Sequence, residues 1–147
     1  MKIFLAGIIQ GSLVEAAIHR QDWRSPIQAA LAKVAGAEVY CHYTHHPNSI
    51  TYDLPRICET LAEGNRLAGE CDVLIAYVPS ASMGTAIEMH QAHCGGAVVL
   101  TVSPMTANWV LRAYSDRIFP DIAALEQFLL GDEFPALMKR RRGDAQT

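Results

Sequence analysis

Compact apolar runs alternate along this chain with longer stretches in which apolar residues recur every three or four positions. Ile3–Gly7, Ala37–Tyr43, Val73–Val78 and Ala97–Val102 are near-continuous apolar or β-branched runs, the signature of strands covered on both faces. Arg117–Phe119 adds a short fifth strand. Between them, Asp22–Val34 carries Ile27, Leu31 and Val34 on one helical face, and Leu54–Ala68 carries Ile57 and Leu61 on one stripe. Gly84–His93, Trp109–Tyr114 and Asp121–Leu130 complete the predicted helices. Ser25-Pro26 suits a cap followed by a proline in the first turn. Asp121 suits an N-cap and Gly131 a stop.

Strand and helix alternation of this kind predicts a parallel sheet between two helical layers, and right-handed crossovers leave few topologies. The expected fold is α/β, a flavodoxin-like three-layer sandwich with a five-stranded parallel sheet. Residues 1–134 read as one domain. Residues 135–147, with the basic run Lys139–Arg142, read as a helix end fading into a solvated tail.

Composition narrows the function. The chain has 147 residues, half of them apolar, and a net charge of −3, which speaks against a general nucleic-acid binder. The apolar start Met1–Ile9 is short and broken by Gln10-Gly11, so it reads as a strand and not as a signal peptide or membrane span. Cys41, Cys58, Cys71 and Cys94 form no CxxC pair and point to a reducing, cytoplasmic setting.

Two long connections, Gln10–Arg24 and Thr44–Asp53, are expected at the carboxyl edge of the sheet, beside the turn Ser82-Met83-Gly84-Thr85. Ligands of open α/β sheets bind at that edge. The helix opened by the turn offers free backbone N–H groups to an anion, and Glu88 lies about one turn in.

Ile3-Phe4-Leu5-Ala6-Gly7, Cys71-Asp72-Val73-Leu74-Ile75-Ala76 and Ser82-Met83-Gly84-Thr85-Ala86-Ile87-Glu88-Met89 together resemble the nucleoside 2-deoxyribosyltransferase family, which includes the nucleoside 5′-monophosphate N-glycosidases. The resemblance covers roughly the first 105 residues, and Gly7 and the Gly84–Glu88 spacing are its specific parts. It implies that Glu88 is a nucleophile attacking the anomeric carbon. A carboxylate there stabilises an oxocarbenium-like transition state and can form a sugar ester. It also implies that Ser82, where an acidic residue would mark a free-nucleoside enzyme, favours a 5′-phosphate held with Gly84 and Thr85. Phe4, Gly7, Ile9 and Trp23 would line the sugar or base pocket. A neighbouring subunit would contribute Asn108, so the expected assembly is a homodimer or larger. The partner is a small nucleotide or nucleoside, with no nucleic acid, no membrane and no cofactor.

The chain departs from the family pattern at three places. The family aspartate before the third strand falls on Gly64, flanked by Glu63 and Asn65, which leaves Asp53 or Glu59 as acids that could enter the site. The tyrosine of the first strand becomes Phe4, and the arginine-bearing phosphate loop becomes Ile8–Ser12. These losses bear on catalysis more than on fold.

Other chemistry has thinner support. His42, His45 and His46 cluster after the second strand, and His90 and Cys94 are one helical turn apart, but no second paired motif makes a metal site of either. There is no GxSxG elbow and no GxGxxG turn. The expected function is hydrolysis of the N-glycosidic bond of a nucleotide. Base exchange between nucleosides and nucleotide binding without chemistry are the alternatives.

Overall fold

The computed structural model describes residues 1–144, with side chains through Arg141. The chain runs β1 (Lys2–Gly7), α1 (Arg24–Leu31), β2 (Glu38–Cys41), α2 (His42–His45), a 3₁₀ turn (Ser49–Thr51), α3 (Leu54–Gly69), β3 (Val73–Tyr77), α4 (Met83–Cys94), β4 (Val98–Val102), α5 (Trp109–Tyr114), β5 (Arg117–Phe119), α6 (Ile122–Leu130) and α7 (Glu133–Asp144). All four strand pairings are parallel, in the order β2-β1-β3-β4-β5. This is the flavodoxin-like three-layer sandwich that the alternation predicts.

The pleat divides each central strand between two cores. Ile3, Leu5, Val73, Ile75, Val98 and Leu100 pack with Ile27 and Leu31 of α1 and with Leu125 and Phe128 of α6. Phe4, Ala6, Leu74, Ala76 and Val99 pack the other way, with Ala68, Met89, Ala92 and Leu111. Burial on both faces explains why these strands are continuous apolar runs and not alternating ones.

Some boundaries and faces differ from the sequence expectation. The second strand ends at Cys41, because residues 42–45 turn into α2. The first helix starts at Arg24 with Trp23 as its N-cap, so Pro26 stands in the first turn but Ser25 caps nothing. In α3 the buried stripe is Thr60, Gly64 and Ala68, while Ile57 and Leu61 are exposed. Three small residues on that stripe let α3 pack closely against α4.

Residues 135–144, expected as the beginning of a tail, continue as α7. Phe134, Leu137 and Met138 follow helical spacing and pack on the α1–α6 core, with Phe134 edge-on to Phe128. This stripe is short and runs into four basic residues, which hides it in the sequence. Arg141 pairs with Asp116. Residues 145–147 of the expected tail lie outside the described residues. No helix among the described residues is long and apolar enough to cross a membrane.

Candidate active site

A cavity of about 400 Å³ opens at the carboxyl edge of the sheet. It lies where β1 and β3 send their chains to opposite faces, the switch point at which open sheets bind ligands. One wall is the start of α4, with Ser82, Met83, Gly84, Thr85 and Glu88. The floor is Gly7 with Ile9, Gln10, Gly11 and Ala16 of the loop after β1. The opposite wall is His42, the 3₁₀ turn, Tyr52 and α3, through the exposed Ile57 and Leu61 and the buried Thr60.

The floor depends on a close approach. A Cβ at Gly7 would come within 2.6 Å of the Trp23 ring and 3.0 Å of the Tyr77 carbonyl. Trp23 is therefore packed beneath Gly7, stacked on Tyr77 at 4.6 Å, and does not line the cavity. The loop above is pinned by Gln21, whose Nε2 donates to the carbonyls of Ile8 at 2.9 Å and His19 at 2.8 Å.

The α4 wall is regular. Ser82 has extended N-cap geometry, and its carbonyl accepts the first helical bond from the Ala86 N–H at 3.0 Å. The amides of Met83, Gly84 and Thr85 precede that bond and are the helix's free donors. The Ser82 hydroxyl does not cap them. It pairs with the Thr85 hydroxyl at 3.0 Å, and the two make a neutral hydroxyl pair at the mouth of the helix.

Glu88 is the one carboxylate lining the cavity among the described residues. Protein surrounds it except where it meets the cavity. Loss of water pushes its pKa up to about 8, with Arg24 pulling in the opposite direction. Neither of the other acids considered from the sequence enters. Asp53 caps α3, accepting the Arg56 N–H at 3.0 Å, and Glu59 forms an exposed pair with Arg56.

Arg24 was not anticipated as part of this region. It is 4% exposed, lies over the Trp23 ring at 4.1 Å, and donates to the Leu5 carbonyl, Cys41 Sγ and Gln21 Oε1. Desolvation lowers its pKa, while Cys41 and Glu88 raise it. A signal was present: Arg24 is in phase with Ile27 and Leu31, on the buried stripe of α1.

His42 is the other unanticipated member, since the sequence weighed it only as a metal ligand. It opens α2, and the His42 and His46 rings lie 4.9 Å apart. His46 Nδ1 pairs with the Tyr52 hydroxyl at 3.0 Å, and His45 Nδ1 with the Cys41 carbonyl at 2.9 Å. His42 Nδ1 is buried and has no hydrogen-bond partner among the described residues. No group of three His, Cys, Asp or Glu side chains among the described residues could hold a metal ion.

Of the site residues predicted from sequence, Gly7, Ile9, Ser82, Gly84, Thr85 and Glu88 come together around one cavity. Phe4 does not join them. Its side chain is 1% exposed and packs within the α3–α4 core, 5.2 Å from the Tyr40 ring, because it lies in mid-strand, three residues before Gly7. Asn108 lies in an adjoining hollow of about 170 Å³ that shares Ser82 and Met83 with the main cavity. Its Oδ1 caps α5, accepting from Val110 and Leu111.

No family model matches the sequence, and no curated protein does. Solved structures match the fold. A 2-deoxyribosyltransferase from Bacillus psychrosaccharolyticus aligns over 86% of this chain and 90% of its own, at 16% identity and a TM-score of 0.63. The CMP N-glycosidase BcmB of Clostridium botulinum aligns over 88% and 98%, at 22% identity and 0.55. A conserved protein from Enterococcus faecalis V583 aligns over 88% and 96%, at 16% identity and 0.57. Across almost the whole length of each, then, this chain has a fold related to that of deoxyribosyltransferase and N-glycosidase structures.

Proposed function

We propose that the protein cleaves the N-glycosidic bond of a nucleotide or nucleoside, with Glu88 as the nucleophile. The observation that carries this reading is the placement of Glu88: a lone carboxylate at the switch-point cavity, one turn behind free helix amides. Cleaving the bond builds positive charge on the sugar, and a carboxylate beside the anomeric carbon stabilises it and can bond to it. The amides of Met83, Gly84 and Thr85, with the neutral Ser82–Thr85 hydroxyl pair, suit a 5′-phosphate. The chemistry requires proton transfers and no cofactor.

The sugar ester can be resolved by water or by a second base. The fold likeness extends to a 2-deoxyribosyltransferase and to a CMP N-glycosidase alike, and base exchange is taken as the first reading. Hydrolysis of a nucleoside monophosphate is the second reading, favoured by the neutral Ser82 at the helix mouth.

The test is incubation with a panel of nucleosides and nucleoside monophosphates, with and without a different free base, followed by chromatography. Free base or an exchanged nucleoside is expected from wild type and not from Glu88→Gln. Product that appears only when a second base is present establishes exchange. A preference for monophosphates supports the phosphate role of Ser82. No product from any member of the panel overturns the reading.

A homodimer extends it, with Pro104–Tyr114 near a neighbour's cavity and the unused amide N–H₂ of Asn108 donating to the ligand. Trp109, 85% exposed, and Met83, 80% exposed, supply the apolar contact such an interface needs. Sedimentation at micromolar concentration should give a dimer or larger, and a clean monomer removes the shared site.

A further inference from the structure

Gly64 holds the place at which the family resemblance calls for an aspartate, and it lies on the α3 stripe that faces α4. A Cβ built there would stand 3.6 Å from Glu88 Oε1 and 3.6 Å from His42 Nδ1, with nothing nearer. Two functional atoms from different walls thus face one small volume. One of them, His42 Nδ1, is buried without a partner among the described residues. An imidazole nitrogen left in that state is costly unless a bound group completes it.

We propose that His42 is the acid–base partner of Glu88, working across the space above Gly64 and sharing a single proton with it. This rests on the N-glycosidic reading given above. At rest the proton is on Glu88. Burial raises the Glu88 carboxyl to about 8, with Arg24 of α1 opposing. Burial lowers the His42 imidazole to about 4, helped by His46, Arg24 and His45, with Glu63 of α3 opposing.

The cycle then balances. The Glu88 proton is relayed by a water in the space above Gly64 to Nδ1 of His42. The freed carboxylate bonds to the anomeric carbon, the C–N bond breaks, and its electron pair leaves with the base. The imidazolium gives its proton to that base. In the second half, neutral His42 takes a proton from water, or from the N–H of an incoming base, as that atom's lone pair attacks the anomeric carbon. The ester C–O bond breaks, its electrons return to Glu88, and Glu88 recovers the proton from His42. Nothing is oxidised or reduced, and no outside proton donor is consumed.

The experiment has two independent arms on the full-length protein. In the first, ¹³C-labelled histidine is followed by NMR against pH. The His42 resonances should show a step near pH 8, where Glu88 ionises, and Glu88→Gln should abolish it. A His42 signal flat through that range overturns the pairing, whatever the protein's activity. In the second, His42→Asn keeps a polar group at the same place without a titrating proton. Its kcat should fall roughly a hundredfold, within the range of lost general acid–base catalysis, with KM changed by no more than about threefold. Gly64→Asp, whose Cβ makes only ordinary contacts, should recover part of the kcat lost in His42→Asn by returning a carboxylate to the same volume. Wild-type kcat and an unchanged pH profile in His42→Asn overturn the proposal. If wild type yields no product but the NMR step is present, the glycosidic reading fails and the pair stands. If product forms and the step is absent, the pair fails and the reading stands.

Discussion

The two walls of the cavity are built in opposite ways. The α4 wall is a regular strand–turn–helix unit: β3 ends at Tyr77, Ser82 sets the N-cap, and Glu88 follows on the helix. The facing wall is assembled from a four-residue helix, a 3₁₀ turn and α3, held by local bonds such as His46 to Tyr52 and Asp53 to the Arg56 amide. A regular wall fixes a carboxylate and a row of amides through helix geometry alone. An irregular wall is what brings an imidazole and apolar side chains to meet them, and it is the part that can vary without disturbing the sheet.

The sharpest way to break this comparison is on the regular wall. Glu88→Gln keeps shape and hydrogen bonding but cannot act as a nucleophile. Its turnover should fall more than about a hundredfold, corresponding to roughly 2.7 kcal/mol of transition-state stabilisation, while circular dichroism stays that of wild type. Residual activity within tenfold of wild type would assign the chemistry to the other wall.

A smaller effect is expected on the irregular wall. Tyr52→Phe removes the hydroxyl paired with His46 Nδ1, and His46 is 6% exposed. Leaving that nitrogen without its partner should cost about 1 to 3 kcal/mol in unfolding free energy, read from urea titration. Turnover should drop less than for Glu88→Gln, because neither Tyr52 nor His46 is assigned a bond or a proton in the reaction. Loss of activity equal to that of Glu88→Gln would make the irregular wall the catalytic one.

The same contrast explains what the sequence made legible. The strands and the α4 wall follow from continuous apolar runs, a turn of small residues and one acid at a helical offset, all of them local signals, and the sheet order follows from the right-handed crossover rule. Phe4 misled because it was carried over from the tyrosine of the family's first strand, and it stands three residues before the end of β1 at Gly7. The pleat sends Phe4 into the α3–α4 core, and Gly7 and Ile9 reach the cavity instead. Ile57 and Leu61 misled in the other direction, since an apolar stripe ordinarily marks the buried face of a helix. Here the buried face is Thr60, Gly64 and Ala68, and the apolar side chains serve the cavity. His42 was visible only as one of three clustered histidines. The role proposed for it depends on Gly64, which is separated from it in sequence and meets it only through packing.

The smallest effect separates the walls by the sign of their pH dependence. Glu88 has a folded-state pKa raised from 4.5 to about 8. Between those values the folded protein holds a proton that the unfolded chain releases, so this group's stability contribution is lost as pH rises through that window. His42 has a folded-state pKa lowered from 6.5 to about 4. The unfolded chain takes up a proton there that the folded protein refuses, so its contribution is lost as pH falls from 6.5 to 4. The two oppose each other between 4.5 and 6.5, and only the Glu88 slope remains from 6.5 to 8. Thermal unfolding of wild type should therefore show a falling midpoint from pH 6.5 to 8 that Glu88→Gln removes. His42→Asn should remove the loss near pH 4 and leave the fall above 6.5 in place. Identical profiles for all three proteins would mean that neither wall holds its titrating group away from water, and the contrast between them would then be one of shape alone.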